Sequence, residues 1–170
     1  KKKGAKFIGE KIPTLQEVLS LVHQDKKIVV EIKSNYKIIP FLKDIIDACS
    51  LKKDQIEIIS FNLKTLIEVQ KQLPGYFVFW IRSLDYYWFR RIFRPSINYI
   101  IKKAKQHKID GLDLWAGEIL SEKTIDEIKK AGLKLYVWTV NNSQKANYLF
   151  NLGVNGITTD SAYQLKNGMK

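Results

Sequence analysis

Glu31 and Lys33 stand two residues apart at the end of a β-branched run, residues 28–32. In an extended strand residues two apart point the same way, so a carboxylate and an ammonium share one face. That juxtaposition suits a divalent-cation ligand beside a phosphate-binding cation. It equally suits a structural ion pair. Asp113 and Trp115 repeat the pattern in the run 111–115. Imidazoles, the commonest acid–base groups, are scarce: the chain has 2 histidines. His23 falls at the end of the first helical pattern and His107 in the polar tail of another, where a cation near a helix C-terminus is ordinary. The single cysteine, Cys49, reads as a small buried apolar residue.

Such residues act together only if distant strand ends meet, and the chain alternates strand and helix periods throughout. Ile12-Pro13 and the Thr14-x-x-Glu17 capping box announce a helix through Leu15, Val18, Leu19 and Val22 that ends near Asp25. Residues 28–32 predict a buried strand, and Phe41, Leu42, Ile45 and Ile46 give the next helix its apolar face. Further strands are expected at 56–61, 77–81, 111–115, 133–140 and 156–159. Between them run helices marked by Leu63, Leu66 and Ile67, by Ser96 with Ile97, Ile100 and Ile101, by Ser121, and by Ala146, Leu149 and Phe150.

Six strands separated by helices predict parallel pairing with right-handed crossovers. A doubly wound sheet usually opens on a glycine-rich phosphate loop, whereas Glu31-Ile32-Lys33-Ser34-Asn35 stands at the first strand end. An eight-stranded barrel takes ~250 residues, or ~31 per strand–helix unit, so the 170 residues supply between five and six units. The expected architecture is therefore α/β, a parallel TIM-type (β/α) barrel, incomplete and lacking about the first two units, in a single domain spanning 1–170. Reactive residues of a barrel come from the carboxyl ends of its strands. Here those are Glu31, Lys33, Ser60, Phe61, Arg82, Asp85, Asp113, Trp115, Trp138, Asn141 and Asp160.

Composition narrows the classes. Apolar residues make up 45% and charged residues 27%, which is a globular balance. One cysteine excludes disulfide scaffolds and thiolate zinc clusters. No apolar run approaches the ~18 residues of a membrane span, and the opening KKKGAKF lacks the apolar stretch of a signal peptide. The expectation is a cytoplasmic protein, membrane-associated at most through its surface. With 29 Lys+Arg against 17 Asp+Glu the net charge is +12, but no RNA- or DNA-binding motif accompanies it and many lysines, such as Lys102, Lys103, Lys129 and Lys130, are spread over helix faces. Nucleic acid is not an expected partner.

Five segments fall in register along nearly the whole chain: Ile12-Pro13-Thr14-Leu15, Val30-Glu31-Ile32-Lys33, Ile59-Ser60-Phe61-Asn62, Val137-Trp138-Thr139-Val140-Asn141 and Gly153-Val154-Asn155-Gly156-Ile157-Thr158-Thr159-Asp160. Together they resemble the glycerophosphodiester phosphodiesterase family, over roughly the last two thirds of its domain. The resemblance implies a barrel that hydrolyses glycerophosphodiesters to glycerol 3-phosphate and an alcohol with a divalent cation, Ca²⁺ or Mg²⁺, and two histidines. It implies that Glu31 is the last of the metal-binding carboxylates and that Lys33 faces the phosphate. It implies also that Phe61 and Trp138 line the pocket beside the glycerol moiety; Asn141 and Asp160 match motif positions at the mouth.

The family's early motifs are a strand ending His-Arg-Gly, a Glu-x-Asp strand and a His-Asp pair. None occurs in the 170 residues. No catalytic residue can thus be carried over. The expected function is metal-dependent phosphodiester hydrolysis when the missing strands are present, on a small glycerophosphodiester or lysophospholipid. The alternative is an inactive fragment, or a lipid- or membrane-surface-binding module of the same fold. Open strand edges at 28–32 and 156–159 would invite pairing with another chain or aggregation, so the alternative predicts an oligomer or poor solubility.

Residues 76–95 read YFVFWIRSLDYYWFRRIFRP. After the strand, 84–94 is expected as a long loop or short helix over the mouth of the barrel. Tyr86, Tyr87, Trp88, Phe89 and Phe93 beside Arg90, Arg91 and Arg94 suit an interfacial segment meeting an anionic membrane surface. Rings packed onto the barrel with solvated arginines are the commoner arrangement, since aromatic clusters are more often core than interface.

Overall fold

The computed structural model describes residues 9–23, 25–83, 85–87, 92–117 and 120–168, with 85–87 and 92–94 described as backbone. The chain opens with α1 (Leu15–Ser20), whose Thr14–Glu17 capping box is formed in both directions. Strand β1 (Ile28–Glu31) and a 3-10 turn (Tyr36–Ile38) lead into α2 (Ile39–Asp47), followed by β2 (Ile56–Ser60), α3 (Leu63–Gln72) and β3 (Phe77–Arg82). Two short strands, β4 (Asp85–Tyr87) and β5 (Ile92–Arg94), precede α4 (Ile97–Gln106), β6 (Gly111–Trp115), α5 (Glu122–Lys130), β7 (Lys134–Trp138), α6 (Ser143–Asn151), β8 (Gly156–Ile157) and α7 (Ala162–Gly168).

Six strands pair in parallel in the order β1-β2-β3-β6-β7-β8. They form a curled half-barrel with helices, and β1 and β8 are its two edges. Period-2 alternation divides every strand between two faces. Ile56, Ile58, Val78, Leu112, Leu114, Leu135 and Val137 face the helices and join Leu42, Leu66, Val69, Ile100, Ile125 and Leu149 in one core. Each such side chain contributes about 1.5–3 kcal/mol by leaving water.

The concave face carries the other set. Phe79 stacks on Tyr136 with ring centroids 4.3 Å apart. Two glycines make room for this pair: a Cβ on Gly111 would lie 2.6 Å from the Phe79 ring, and one on Gly156 2.8 Å from the Tyr136 ring. The Tyr136 hydroxyl donates to the buried Glu57 (2.8 Å), whose other oxygen accepts from Lys27 (2.9 Å). This closes the amino-terminal end of the concave face. Towards the carboxyl end Phe61 and Trp115 stay exposed.

Three local expectations need correction. Residues 85–87 and 92–94 form an antiparallel hairpin, with Asp85 opposite Arg94, rather than a loop or short helix. The side chains of that segment and the whole of Trp88, Phe89, Arg90 and Arg91 lie outside the described residues, as does the start of the chain. In α2 the buried stripe is Ile39, Leu42 and Ile46, and Phe41 is exposed. The helix starts at Ile39, so the i, i+3, i+7 series turns Phe41 outward. Helix α1 ends at Ser20, before Asp25. Helix α7, with Leu165 as its buried anchor, follows the last strand.

Candidate active site

The end of β1 is held by its neighbour. Ile32 donates its amide to the Ile59 carbonyl (2.9 Å), and the buried Ser60 hydroxyl donates to the Ile32 carbonyl (2.7 Å). Ser60 Oγ also accepts from the Asn62 amide (3.2 Å), so one side chain ties β1 to the turn that opens α3. This fixes the backbone between Glu31 and Lys33. The Lys33 ammonium lies 3.7 Å from Glu31, with the lysine side chain 81% exposed and the glutamate 31%. The pair therefore stands on a rim and is not an internal ion pair; an exposed pair of this kind is worth little to stability.

The aromatic wall is built from two other strand ends. Trp80 Nε1 donates to the Phe61 carbonyl (3.1 Å), and Phe61 meets Trp138 edge-to-face with ring centroids 6.1 Å apart. Trp138 Nε1 donates to the main-chain carbonyl of Asp113 (3.3 Å), linking β7 to β6. Behind this wall Asn141 joins the last two loops: its Oδ1 accepts from the Thr159 hydroxyl (2.8 Å) and the Asp160 amide (2.9 Å). Asn141 and Asp160 thus brace the mouth.

Glu31, Lys33, Phe61 and Trp138 come together in a pocket of about 300 Å³, completed by Ile59, Ile81, Asp113, Thr139 and Thr158. A second cavity of about 550 Å³ adjoins it through Glu31, Lys33 and Phe61 and extends over Ser34, Asn35 and Asn62. Asp113 is the buried polar group of the first pocket, only 4% exposed, and its Oδ1 has no hydrogen-bond partner among the described residues. Burial, reinforced by the negative charge of Glu31, pushes the Asp113 carboxyl up to about 7.

With both carboxylates ionised, one ammonium faces two of them, a balance that repels an anionic phosphodiester. A divalent cation would reverse that sign. Among the described residues no group of three or more His, Cys, Asp and Glu side chains could hold a metal ion. The donor set present is a single rim carboxylate, Glu31, short of the six or more oxygens a hard cation takes, so water, phosphate oxygens or further ligands would have to supply the rest. It does not fit an all-protein cage. The histidines lie elsewhere. His23 is in the connection from α1 to β1, its carbonyl accepting from Gln55 beside the start of β2, and His107 caps the C-terminus of α4 before β6. Both occupy the end of the strands opposite the pocket.

A curled parallel sheet with helices and a pocket at its carboxyl strand ends defines a TIM-barrel-type protein. The chain matches the model of the glycerophosphoryl diester phosphodiesterase family over residues 1–163, and it belongs to that family. It is 29% identical over 168 residues to a glycerophosphodiester phosphodiesterase of Caldanaerobacter subterraneus subsp. tengcongensis, covering 96% of this chain and 64% of that protein. Its identity to YhdW of Bacillus subtilis is 27% over 164 residues, covering 92% of this chain and 62% of that one. The chain thus spans less than two thirds of the length of either relative. Among solved structures, a glycerophosphodiester phosphodiesterase from Parabacteroides distasonis superposes with a TM-score of 0.75 at 22% identity, covering 94% of this chain and 64% of that one. A phosphodiesterase of Oleispira antarctica in complex with its product sn-glycerol-3-phosphate superposes with a TM-score of 0.73 at 20% identity, covering 92% of this chain and 61% of that one. These likenesses carry the fold.

The sequence put Asp113 among the strand-end candidates, on one face with Trp115, without singling it out, and it carried Thr139 and Thr158 only within the matched segments, with no role for either. Strand alternation was the available signal for Asp113. Its depth depends on the strands curling over it, which no local pattern records.

Proposed function

We propose that this pocket binds the glycerol 3-phosphate moiety of glycerophosphodiesters and serves their metal-dependent hydrolysis to glycerol 3-phosphate and an alcohol. The observation that carries this reading is the convergence of Glu31, Lys33, Phe61 and Trp138 on one pocket, in a chain of this family. The exposed Lys33 ammonium draws the phosphate to the rim and offsets charge that builds on its oxygens. Glu31 would hold Ca²⁺ or Mg²⁺, which supplies neutralisation of the phosphate and polarises it. Phe61 and Trp138 present apolar faces to the glycerol carbons and exclude water from that side. The adjoining cavity, with Ser34, Asn35 and Asn62, takes the alcohol half.

Proton transfer needs a group within hydrogen-bond reach of the reacting oxygens, and His23 and His107 are at the other end of the strands. By itself the 170-residue polypeptide is therefore a binding half: it holds ligand without turnover, and hydrolysis belongs to a barrel closed by further strands that bring the acid–base groups. The lengths of the relatives, of which this chain spans 64% and 62%, leave room for such strands. Contact with an anionic membrane surface through residues 86–94, in a cytoplasmic setting, completes the reading; the alternation of aromatic rings and arginines in that segment supports it. No helix among the described residues is long and apolar enough to cross a membrane.

Calorimetric titration of the chain with sn-glycerol 3-phosphate tests the reading. Binding is expected in Mg²⁺ or Ca²⁺ and should weaken about tenfold or more in EDTA, in Glu31→Gln and in Lys33→Met, about the effect of losing one charged contact. Absence of binding under every condition would refute it.

A further inference from the structure

Asp113 is the one deeply buried carboxyl in the pocket, and the ion pairs and caps described above do not use it. Its Oδ1 is unpartnered among the described residues although the side chain is 4% exposed. An unpaired carboxyl at that depth is expensive: it is relieved by holding a proton or by a hydrogen-bonding partner that arrives from the pocket, the one side on which it is open. What surrounds it limits what the partner can be. Ile59, Ile81, Phe61 and Trp138 give apolar walls, and Thr139 and Thr158 complete the lining. Both cationic and anionic rim groups, Lys33 and Glu31, are more exposed than Asp113. A ligand anchored at the rim by its phosphate therefore points its far end towards Asp113. Apolar walls with a single acceptor at the bottom match the C–H faces and the O–H group of a short polyol.

We propose that Asp113 is a specificity-determining residue that accepts a hydrogen bond from a hydroxyl of the glycerol moiety and so selects a polyol phosphate over phosphates lacking that hydroxyl. The inference rests on the reading of the pocket as a glycerol 3-phosphate site and adds to it the group that reads the alcohol. A ligand without the hydroxyl leaves the carboxyl unpaired, and sites built in this way reject such analogues more strongly than apolar pockets reject a missing methylene. Trp138 assists by fixing the Asp113 backbone through its indole N–H.

The test compares sn-glycerol 3-phosphate with 3-hydroxypropyl phosphate, which lacks the central hydroxyl, and 2-hydroxypropyl phosphate, which lacks the terminal one. Affinities are measured by calorimetry in Mg²⁺ on the parent chain, on Asp113→Leu and on the near-isosteric Asp113→Asn, with far-UV circular dichroism as the check of folding. The parent is expected to bind glycerol 3-phosphate about tenfold or more tightly than one of the two analogues. Asp113→Leu should bind that analogue and glycerol 3-phosphate equally, and Asp113→Asn should keep part of the preference through its carbonyl oxygen. Should Asp113→Leu misfold, loss of part of the preference in Asp113→Asn supports the proposal and an unchanged preference overturns it. A parent that binds all three phosphates alike overturns this inference and leaves the reading of the pocket intact. So does an equal loss for all three phosphates in both variants with a parallel loss of Mg²⁺ affinity, which would make Asp113 a cation ligand. A parent that binds none of them overturns the reading and the inference with it.

Discussion

Asp113 links stability to acidity as well as to recognition. Its carboxyl holds a proton up to about pH 7 in the folded chain, against an ordinary value of 3.8. Between these values the folded state binds a proton that the unfolded state has released, so stability falls as pH rises through this window and levels off above it. Asp113→Asn removes the penalty. It should match the parent near pH 4 and exceed it by on the order of 2–4 kcal/mol at pH 8 in urea unfolding. An equal difference at both pH values would show that burial of this carboxyl is relieved in solution. The expected gain accompanies a weaker choice of ligand, the usual relation between a strained site and a stable one. At this scale the sequence was informative where two-residue alternation and strand ends sufficed. Glu31, Lys33, Phe61 and Trp138 reach one pocket from three separate strands. Asp113 was placed on the right face but not at its depth, since depth belongs to the assembled sheet.

Elements position these residues through a few side-chain bonds. Ser60 joins β1, β2 and the start of α3 with its one hydroxyl. Ser60→Ala should cost about 1–3 kcal/mol, the range for leaving buried partners unpaired, and weaken glycerol 3-phosphate binding because Glu31 and Lys33 lose their register. Ser121→Ala supplies the contrast. It removes the cap on α5, whose Thr124 amide it accepts at 3.2 Å, and should cost about 1 kcal/mol without altering binding. Equal binding losses in the two variants would contradict the role given to Ser60. Caps at Thr14, Ser96 and Ser121 were legible because each is a local pattern. The antiparallel pairing of 85–87 with 92–94 was not, because the aromatic and basic residues of this stretch follow neither a clear two-residue nor a clear helical period. Phe41 was misplaced for a related reason: a 3-10 turn precedes α2 and sets where its buried stripe begins.

The whole molecule was the most legible level. Six strand–helix alternations without a glycine-rich first loop point to a barrel, and the six-stranded parallel sheet has that curl. Parallel strands also explain why the candidate site is concentrated at one end: every strand delivers its carboxyl terminus to the same mouth. The same regularity puts both histidines at the opposite end, since each precedes a strand. The proposed function makes the mouth a cation-assisted glycerol phosphate site. A crystal structure of the chain grown with sn-glycerol 3-phosphate and Mn²⁺ tests it most directly. The expected result is an anomalous Mn²⁺ peak on the Glu31 carboxylate, phosphate beside Lys33, and glycerol between Phe61 and Trp138 with a hydroxyl on Asp113. Ligand bound elsewhere on the chain, or a mouth empty of metal and phosphate at saturating concentrations, would contradict it.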